Sequence, residues 1–288
     1  MIAADRYVAA SGDEAGWRNH LVAAVGSILQ QYHDGTRFGI HADADGLLAA
    51  GDADTQLTWM DAQWDGQPVT PRHGKCVEIN ALWYSALRVA QRRATDEQTR
   101  RQWGHMADVV AGAFERTFWN QRDGCLYDVV ARGEPDDGIR PNQILAVSLP
   151  DSPLGIEKQR SVVEVVRREL LTPMGLRTLS PSDRRYRGSY GVSRESRDRS
   201  YHQGTVWPWL LGPFIEAYLK VNDFSDEARA AGAEWLAPIA EHVRTAGVGY
   251  VSEIFDGDPP HAPGGCIAQA WSVAEVLRAR RMVARGRG

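Results

Sequence analysis

Two acidic residues stand where this chain could do acid–base chemistry. Asp61 follows Thr58-Trp59-Met60 and is succeeded by Thr70-Pro71-Arg72-His73-Gly74-Lys75, a cation-rich loop that runs into the apolar stretch Glu78-Ile79-Asn80-Ala81-Leu82-Trp83-Tyr84. Trp59 and Met60 are expected to shield the Asp61 carboxyl from water, and a shielded carboxyl keeps its proton nearer neutral pH. Glu253 lies in Gly249-Tyr250-Val251-Ser252-Glu253-Ile254-Phe255-Asp256-Gly257, flanked by Tyr250 and Phe255. Hydrolysis of a glycosidic bond uses such a pair: one carboxyl protonates the leaving oxygen and one carboxylate activates water on the opposite face. Asp65 is a weaker rival in a turn-like Asp-Gly pair, and Asp256 and Asp258 read as turn residues. The same positions also fit an ordinary aspartate at a turn before a helix and a solvated glutamate on a strand.

The aromatic inventory supports the chemical reading. Ten Trp and nine Tyr are present, several of them in Gly/Pro-rich loops. Indoles beside carboxylates and amides can stack on the C–H face of a sugar ring while the polar groups take its hydroxyls. Trp17, Trp103 and Trp235 fall in helix-like segments and read as core.

Other chemistries fit less well. Gly191-Val192-Ser193-Arg194-Glu195 mimics a nucleophile elbow but ends in Glu where a closing Gly is needed, with no strand before it. The eight histidines are scattered without zinc spacing, and Asp43-Ala44-Asp45-Gly46 continues into Leu47, where a calcium loop needs an oxygen ligand. No metal and no cofactor is therefore expected. Cys76, Cys125 and Cys266 are too few and too far apart for a disulfide framework. A net charge of −4 argues against nucleic acid, and the arginines between Arg177 and Arg199 are interleaved with Asp183, Glu195 and Asp198. Apolar runs are too short to span a membrane and the N-terminus lacks a signal-peptide layout, so a cytoplasmic location with no membrane partner is expected.

The periodicity predicts an all-α chain with short β-hairpins in its loops. Helices are expected over 2–10, 14–33, 78–94, from the capping box at Thr95 to 118, from Pro141 to 149, over 156–171, up to 222 after Trp207-Pro208-Trp209, from Ser225 to 245, and over 265–284. Residues 125–130 read as one strand, 38–50 as a hairpin, and 172–205 as a long irregular connection of functional type. Chemistry-bearing loops alternate with helix pairs, which suggests an α/α toroid.

Taken together, Thr58-Trp59-Met60-Asp61-Ala62, Thr70-Pro71-Arg72 with the 78–84 stretch, Arg140-Pro141-Asn142-Gln143, Tyr201-His202-Gln203-Gly204-Thr205-Val206-Trp207-Pro208 and Gln269-Ala270-Trp271-Ser272 resemble the C-terminal amylo-α-1,6-glucosidase domain of glycogen debranching enzymes. The resemblance covers nearly the whole chain. It implies an (α/α)6 barrel and removal, with inversion, of the single α-1,6-linked glucose at a branch point of glycogen or another branched α-glucan. It assigns Asp61 as general acid and Glu253 as general base, and makes Trp59 and Trp207 stacking candidates. Arg72, Glu78, Arg140, Asn142, Gln143 and His202 would bind hydroxyls, or else brace loops. Counting back from the last helix, 1–288 is expected to be one such domain with about nine of its twelve helices, the first three lacking. An edge left open in this way would favour self-association. The alternatives are a glucoamylase- or trehalase-like specificity, a glycan-binding fragment without turnover, and a helical scaffold for protein partners.

Overall fold

The computed structural model describes residues 1–284, and each expected helix forms within them. α1 is Ile2–Ser11, stopped by Gly12 in the left-handed conformation. α2 covers 14–34 in three consecutive pieces, Glu14–Gly16, a π turn at Trp17–Leu21, and Val22–Asp34. α3 is Val77–Arg93 and α4 is Glu97–Phe118. A 3-10 turn Pro141–Ile144 leads into α5, Leu145–Ser148, and α6 is Ile156–Leu170. α7 is Arg194–Ser200; a second 3-10 turn, Pro208–Leu210, leads into α8, Leu211–Val221. α9 is Asp226–Thr245 and α10 is Ala270–Ala284.

The helices form an arc in two layers. α1 packs on α3, α3 on α5, α5 on α8 and α8 on α10; behind them α4 backs α3, α6 backs α5 and α8, and α9 backs α8 and α10. The inner helices are covered on several sides: α3 buries eleven of its seventeen residues, Glu78, Asn80 and Ser85 among them, and α8, apolar nearly all round, buries eight of eleven. Phe114, Phe118, Leu87, Ile144, Val166 and Phe214 are fully buried in one continuous core. Glu216 of α8 accepts from Arg6 of α1 at 3.1 Å and from Arg278 of α10 at 2.6 Å, drawing the two ends of the arc toward one inner helix. Among the described residues no helix is long and apolar enough to cross a membrane.

Several boundaries differ from the sequence reading. The cap of α4 is Asp96, whose carboxylate accepts from Thr99 N at 2.8 Å, rather than Thr95. The run 125–130 divides into Cys125–Leu126, paired with Trp119–Asn120, and Val129–Ala131, paired with Lys75–Cys76. α10 begins at Ala270 because the residues before it pair with the Glu253 segment: Glu253 N donates to Cys266 O and Gln269 N to Val251 O. The connection 172–205 is not wholly irregular, since it holds α7 and part of a sheet. Ser193, the centre of the elbow-like motif, is the cap of α7 and accepts from Ser196 N at 3.1 Å.

That sheet was not expected. Five strands, β1 Leu171–Thr172, β2 Gly175–Arg177, β3 Val206–Trp207, β4 Ile254–Phe255 and β5 Pro263–Gly264, lie antiparallel in this order. Val206 pairs with Phe255, which fastens the Tyr201–Pro208 motif to the Glu253 loop. Gly175 lets this happen: its φ is +138°, and a Cβ there would lie 2.7 Å from the Trp207 carbonyl oxygen. Gly175→Ala is therefore expected to destabilise the chain by roughly 1–3 kcal/mol, measured as a lower urea midpoint.

Candidate active site

The loops preceding α3, α5, α8 and α10 meet, and a buried polar network joins the first two. Arg72, 4% exposed, donates to Glu78 Oε1 at 2.5 Å and Oε2 at 2.6 Å, and through Nε to Asp128 Oδ2 at 2.8 Å. Asp128 Oδ1 accepts from Asn142 Nδ2 at 2.7 Å, and Asn142 Oδ1 in turn accepts from the Trp59 indole at 2.7 Å. Arg140 lies 3.8 Å from Asp128 through Nε and donates to Thr178 O, His202 O and Gln203 Oε1. Gln203 then donates to Val69 O at 3.0 Å and Thr70 Oγ1 at 3.1 Å, returning to the Asp61 loop. Burial pulls the Arg140 guanidinium down to about 10, against the opposing pull of Asp128, so it remains a cation at neutral pH.

This network holds most of the residues expected to bind hydroxyls or brace loops. Arg72, Glu78, Arg140 and Gln143 are at most 4% exposed, and their partners lie within the chain; Gln143 accepts from Leu126 N and donates to Arg140 O. The loop-bracing reading fits these four. Asn142 is equally buried and spends its side chain on Trp59, Asp128 and Met60. His202 is fully buried, yet neither ring nitrogen has a hydrogen-bond partner among the described residues; the buried atoms Trp209 Nε1 and Thr58 Oγ1 likewise have none among them.

An aromatic cluster connects the two carboxylate loops. Trp59 meets His202, Trp207 and Trp209 edge-on with ring centroids 5.3, 5.4 and 5.1 Å apart. Trp207 contacts Tyr201 at 5.0 Å, and Trp271 covers Trp207 at 5.7 Å and Trp209 at 5.3 Å. Of the two stacking candidates, Trp207 is only 2% exposed and packs edge-on against Trp59, which is half-buried.

Glu253 is tightly held. Its Oε1 accepts from the Tyr201 hydroxyl at 2.6 Å and from Gln269 Nε2 at 3.3 Å, and its Oε2 accepts from Cys266 N at 2.8 Å. Burial first, and then the bond to Glu253, push the Tyr201 pKa up, so the hydroxyl stays a donor. Gly265 makes room for the carboxylate, since a Cβ there would stand 2.3 Å from Glu253 Oε2. Asp61 is the opposite case. It is exposed and no side chain among the described residues pairs with it. The expected shielding by its neighbours is absent because Met60 turns inward, 1% exposed with Sδ toward Asn142, and leaves Asp61 facing out. Asp256 and Asp258 serve turns, accepting from Tyr190 N and the Tyr186 hydroxyl.

Sequence reasoning missed Asp128, Tyr201, Trp209 and Gln269. Tyr201, Trp209 and Gln269 stood inside or beside quoted motifs; Asp128, an acid between apolar neighbours in a strand-like run, was the one signal of a buried carboxylate.

The fold is a helical toroid of the α/α class, with its polar and aromatic loops gathered together. More narrowly, the chain belongs to the amylo-alpha-1,6-glucosidase family, whose model matches residues 1–278. It is 29% identical to the glycogen debranching enzyme of Saccharomyces cerevisiae over 62% of this chain and 15% of that protein, so it spans a small part of that relative. In fold it is similar to the neutral trehalase of Saccharomyces cerevisiae, with a TM-score of 0.58 at 14% identity, covering 81% of this chain and 41% of that one. It is also similar to the mannosylglycerate hydrolase of Thermus thermophilus, with a TM-score of 0.52 at 17% identity over 72% of this chain and 47% of that one.

The buried histidine gives the site a pH signature. Burial first, then the charges of Arg140 and Arg72, hold His202 down at about 3. An unfolded histidine titrates at about 6.5, so between these values the unfolded chain takes up a proton that the folded chain refuses. Stability therefore falls as pH drops from about 6.5 toward 3, by up to about 1.4 kcal/mol per pH unit from this group. Urea midpoints between pH 7 and 5 are expected to decline less steeply in His202→Gln than in the wild type.

Proposed function

We propose that this chain carries the glucosidase site of a glycogen-debranching activity and removes α-1,6-linked glucose from a branched α-glucan with inversion. Asp61 would give its proton to the glycosidic oxygen as the bond to C1 breaks. Glu253 would take a proton from the water that attacks C1 from the other face. The product would be β-glucose and a shortened glucan with a free hydroxyl. Inversion requires the two carboxyl groups to stand roughly 6.5–9.5 Å apart, with the water between.

The observation that carries the reading is the run of contacts from Trp59, two residues before Asp61, through Trp207 and Tyr201 to Glu253. It supports a site in which the two carboxylates act together although they are far apart in the chain. Their environments suit different tasks: three donors fix the orientation of Glu253, as aligning a water requires, while Asp61 is free to meet a substrate oxygen. On this reading the bound sugar, not Trp59 and Met60, excludes water around Asp61. Trp59 supplies the stacking face, and the rings of His202 and Trp209, edge-on to it, hold that face in place. The proposal includes a cytoplasmic site of action and self-association through the ends of the arc, where Tyr7 is 52% and Leu277 61% exposed.

Asp61→Asn and Glu253→Gln are each expected to lower glucose release from a branched limit dextrin by about 10²- to 10⁴-fold. Proton NMR of the first-formed sugar should show the β anomer; the α anomer would overturn inversion. Comparing maltose, isomaltose, trehalose and limit dextrin tests the linkage, and preferred turnover of trehalose would replace the debranching assignment. Tyr201→Phe should reduce kcat by roughly ten- to a hundredfold with KM little changed, because it loosens the proposed base without touching the sugar.

A further inference from the structure

The hairpin that follows the proposed acid in the chain lines a cleft of about 450 Å³ that the reading above leaves without a role. One wall is the hairpin that follows Asp61, Gln63–Trp64 paired with Gln67–Pro68, closed by Val69 N donating to Ala62 O at 3.0 Å. The other wall comes from the 183–203 segment and includes Arg187, Arg199 and Gln203. Gln203 belongs to both places, since it lines the cleft and also ties Arg140 to Val69 and Thr70. The cleft is therefore built on the same frame that holds the Asp61 loop.

Its chemistry is aromatic and polar, with little net charge. Trp64 is half-buried, with the Arg199 guanidinium over its ring at 5.8 Å. Arg199 is itself paired with Glu195, and Arg185 with Asp136 and Asp183. The carboxylate of Asp65 lines the cleft as well. These acids offset the cations, so a polyanion gains little here. Arg187 has its backbone fixed by donation to Gln203 O at 2.6 Å, while no side chain among the described residues pairs with its exposed guanidinium. An indole beside free donor and acceptor groups in a near-neutral cleft suits a neutral polyhydroxyl ligand.

We propose that this cleft is a binding site for the leaving glucan chain, with Trp64 stacking on one glucosyl ring and Arg187 and Asp65 bonding its hydroxyls. The inference rests on the assignment of Asp61 as acid, because the proton donor stands on the leaving-group side of the bond and the chain must depart past the hairpin that follows it. Trp64 and Arg187 would set preference for a long glucan over a small leaving group, without contact at the scissile bond.

Calorimetric titration of wild type, Trp64→Ala and Arg187→Ala with maltohexaose tests this, and sodium phosphate serves as the probe for an anion site. Maltohexaose is expected to bind the wild type and to bind each variant about tenfold more weakly. Trp64→Tyr, which keeps a stacking ring, should recover most of the affinity and guards against misfolding of the alanine variant. Equal maltohexaose affinity in all proteins, no binding to the wild type, no recovery in Trp64→Tyr, or phosphate binding that Arg187→Ala abolishes would each overturn the proposal. Turnover of α-glucosyl fluoride, whose leaving group needs no chain site, reads the catalytic assignment separately and should be equal in all of them. If the wild type fails to turn it over while maltohexaose binding follows the expected pattern, glucan binding in the cleft stands, and its assignment to the leaving chain falls with the catalytic reading.

Discussion

A guanidinium almost out of reach of water governs the geometry of this molecule. Arg72 is held between Glu78 and Asp128, and Arg140 approaches the same Asp128 oxygen at 3.8 Å, so two cations and two carboxylates share one buried region. Removing such charges from water costs several kcal/mol per ion, and the attraction between them returns that only when directions and distances are right. A cluster of this kind is therefore a severe test of position. It tolerates only an arrangement in which the loops before α3, α5 and α8 sit together, and the indole of Trp59 hangs from its far end through Asn142.

The two carboxylates of the site are treated differently by this frame. Glu253 is reached through the sheet and the tyrosine hydroxyl, and its orientation is set before any ligand arrives. Asp61 is carried by a rigid neighbour, Trp59, but is itself left unpaired. The arrangement stabilises the scaffold around one acidic group and spares the other.

Much of the helical framework was readable from the sequence because apolar periodicity reports which face of a helix is covered, and α3, α4, α6 and α9 have long clear stripes. The sheet was not readable. Its strands are two or three residues long, too short to show an alternation, and they pair across gaps such as Val206 to Phe255. The site was legible as motifs, since Asp61, Glu253 and their aromatic neighbours stood out by type. Their roles were less so: nothing local distinguishes an arginine that meets a ligand from one that braces the chain, and in this structure Arg72 is bound to Glu78 and Asp128 while Arg140 is bound to Thr178 O, His202 O and Gln203. Asp61 shows the same limit, because adjacency to Met60 in the chain says nothing about which of the two side chains turns inward.

The sheet and the cluster also bear on the order in which the molecule can form. Helix pairs such as α3 and α4 meet across a short turn and can associate early, at little cost in loop closure. The contacts that make the site span far more chain: 83 residues from Trp59 to Asn142, 52 from Tyr201 to Glu253, and 133 from Thr70 to Gln203. Contacts of that separation form slowly because so much chain must be ordered first. The site therefore carries the largest share of the loop-closure cost in this polypeptide, while the helix pairs around it ask for little.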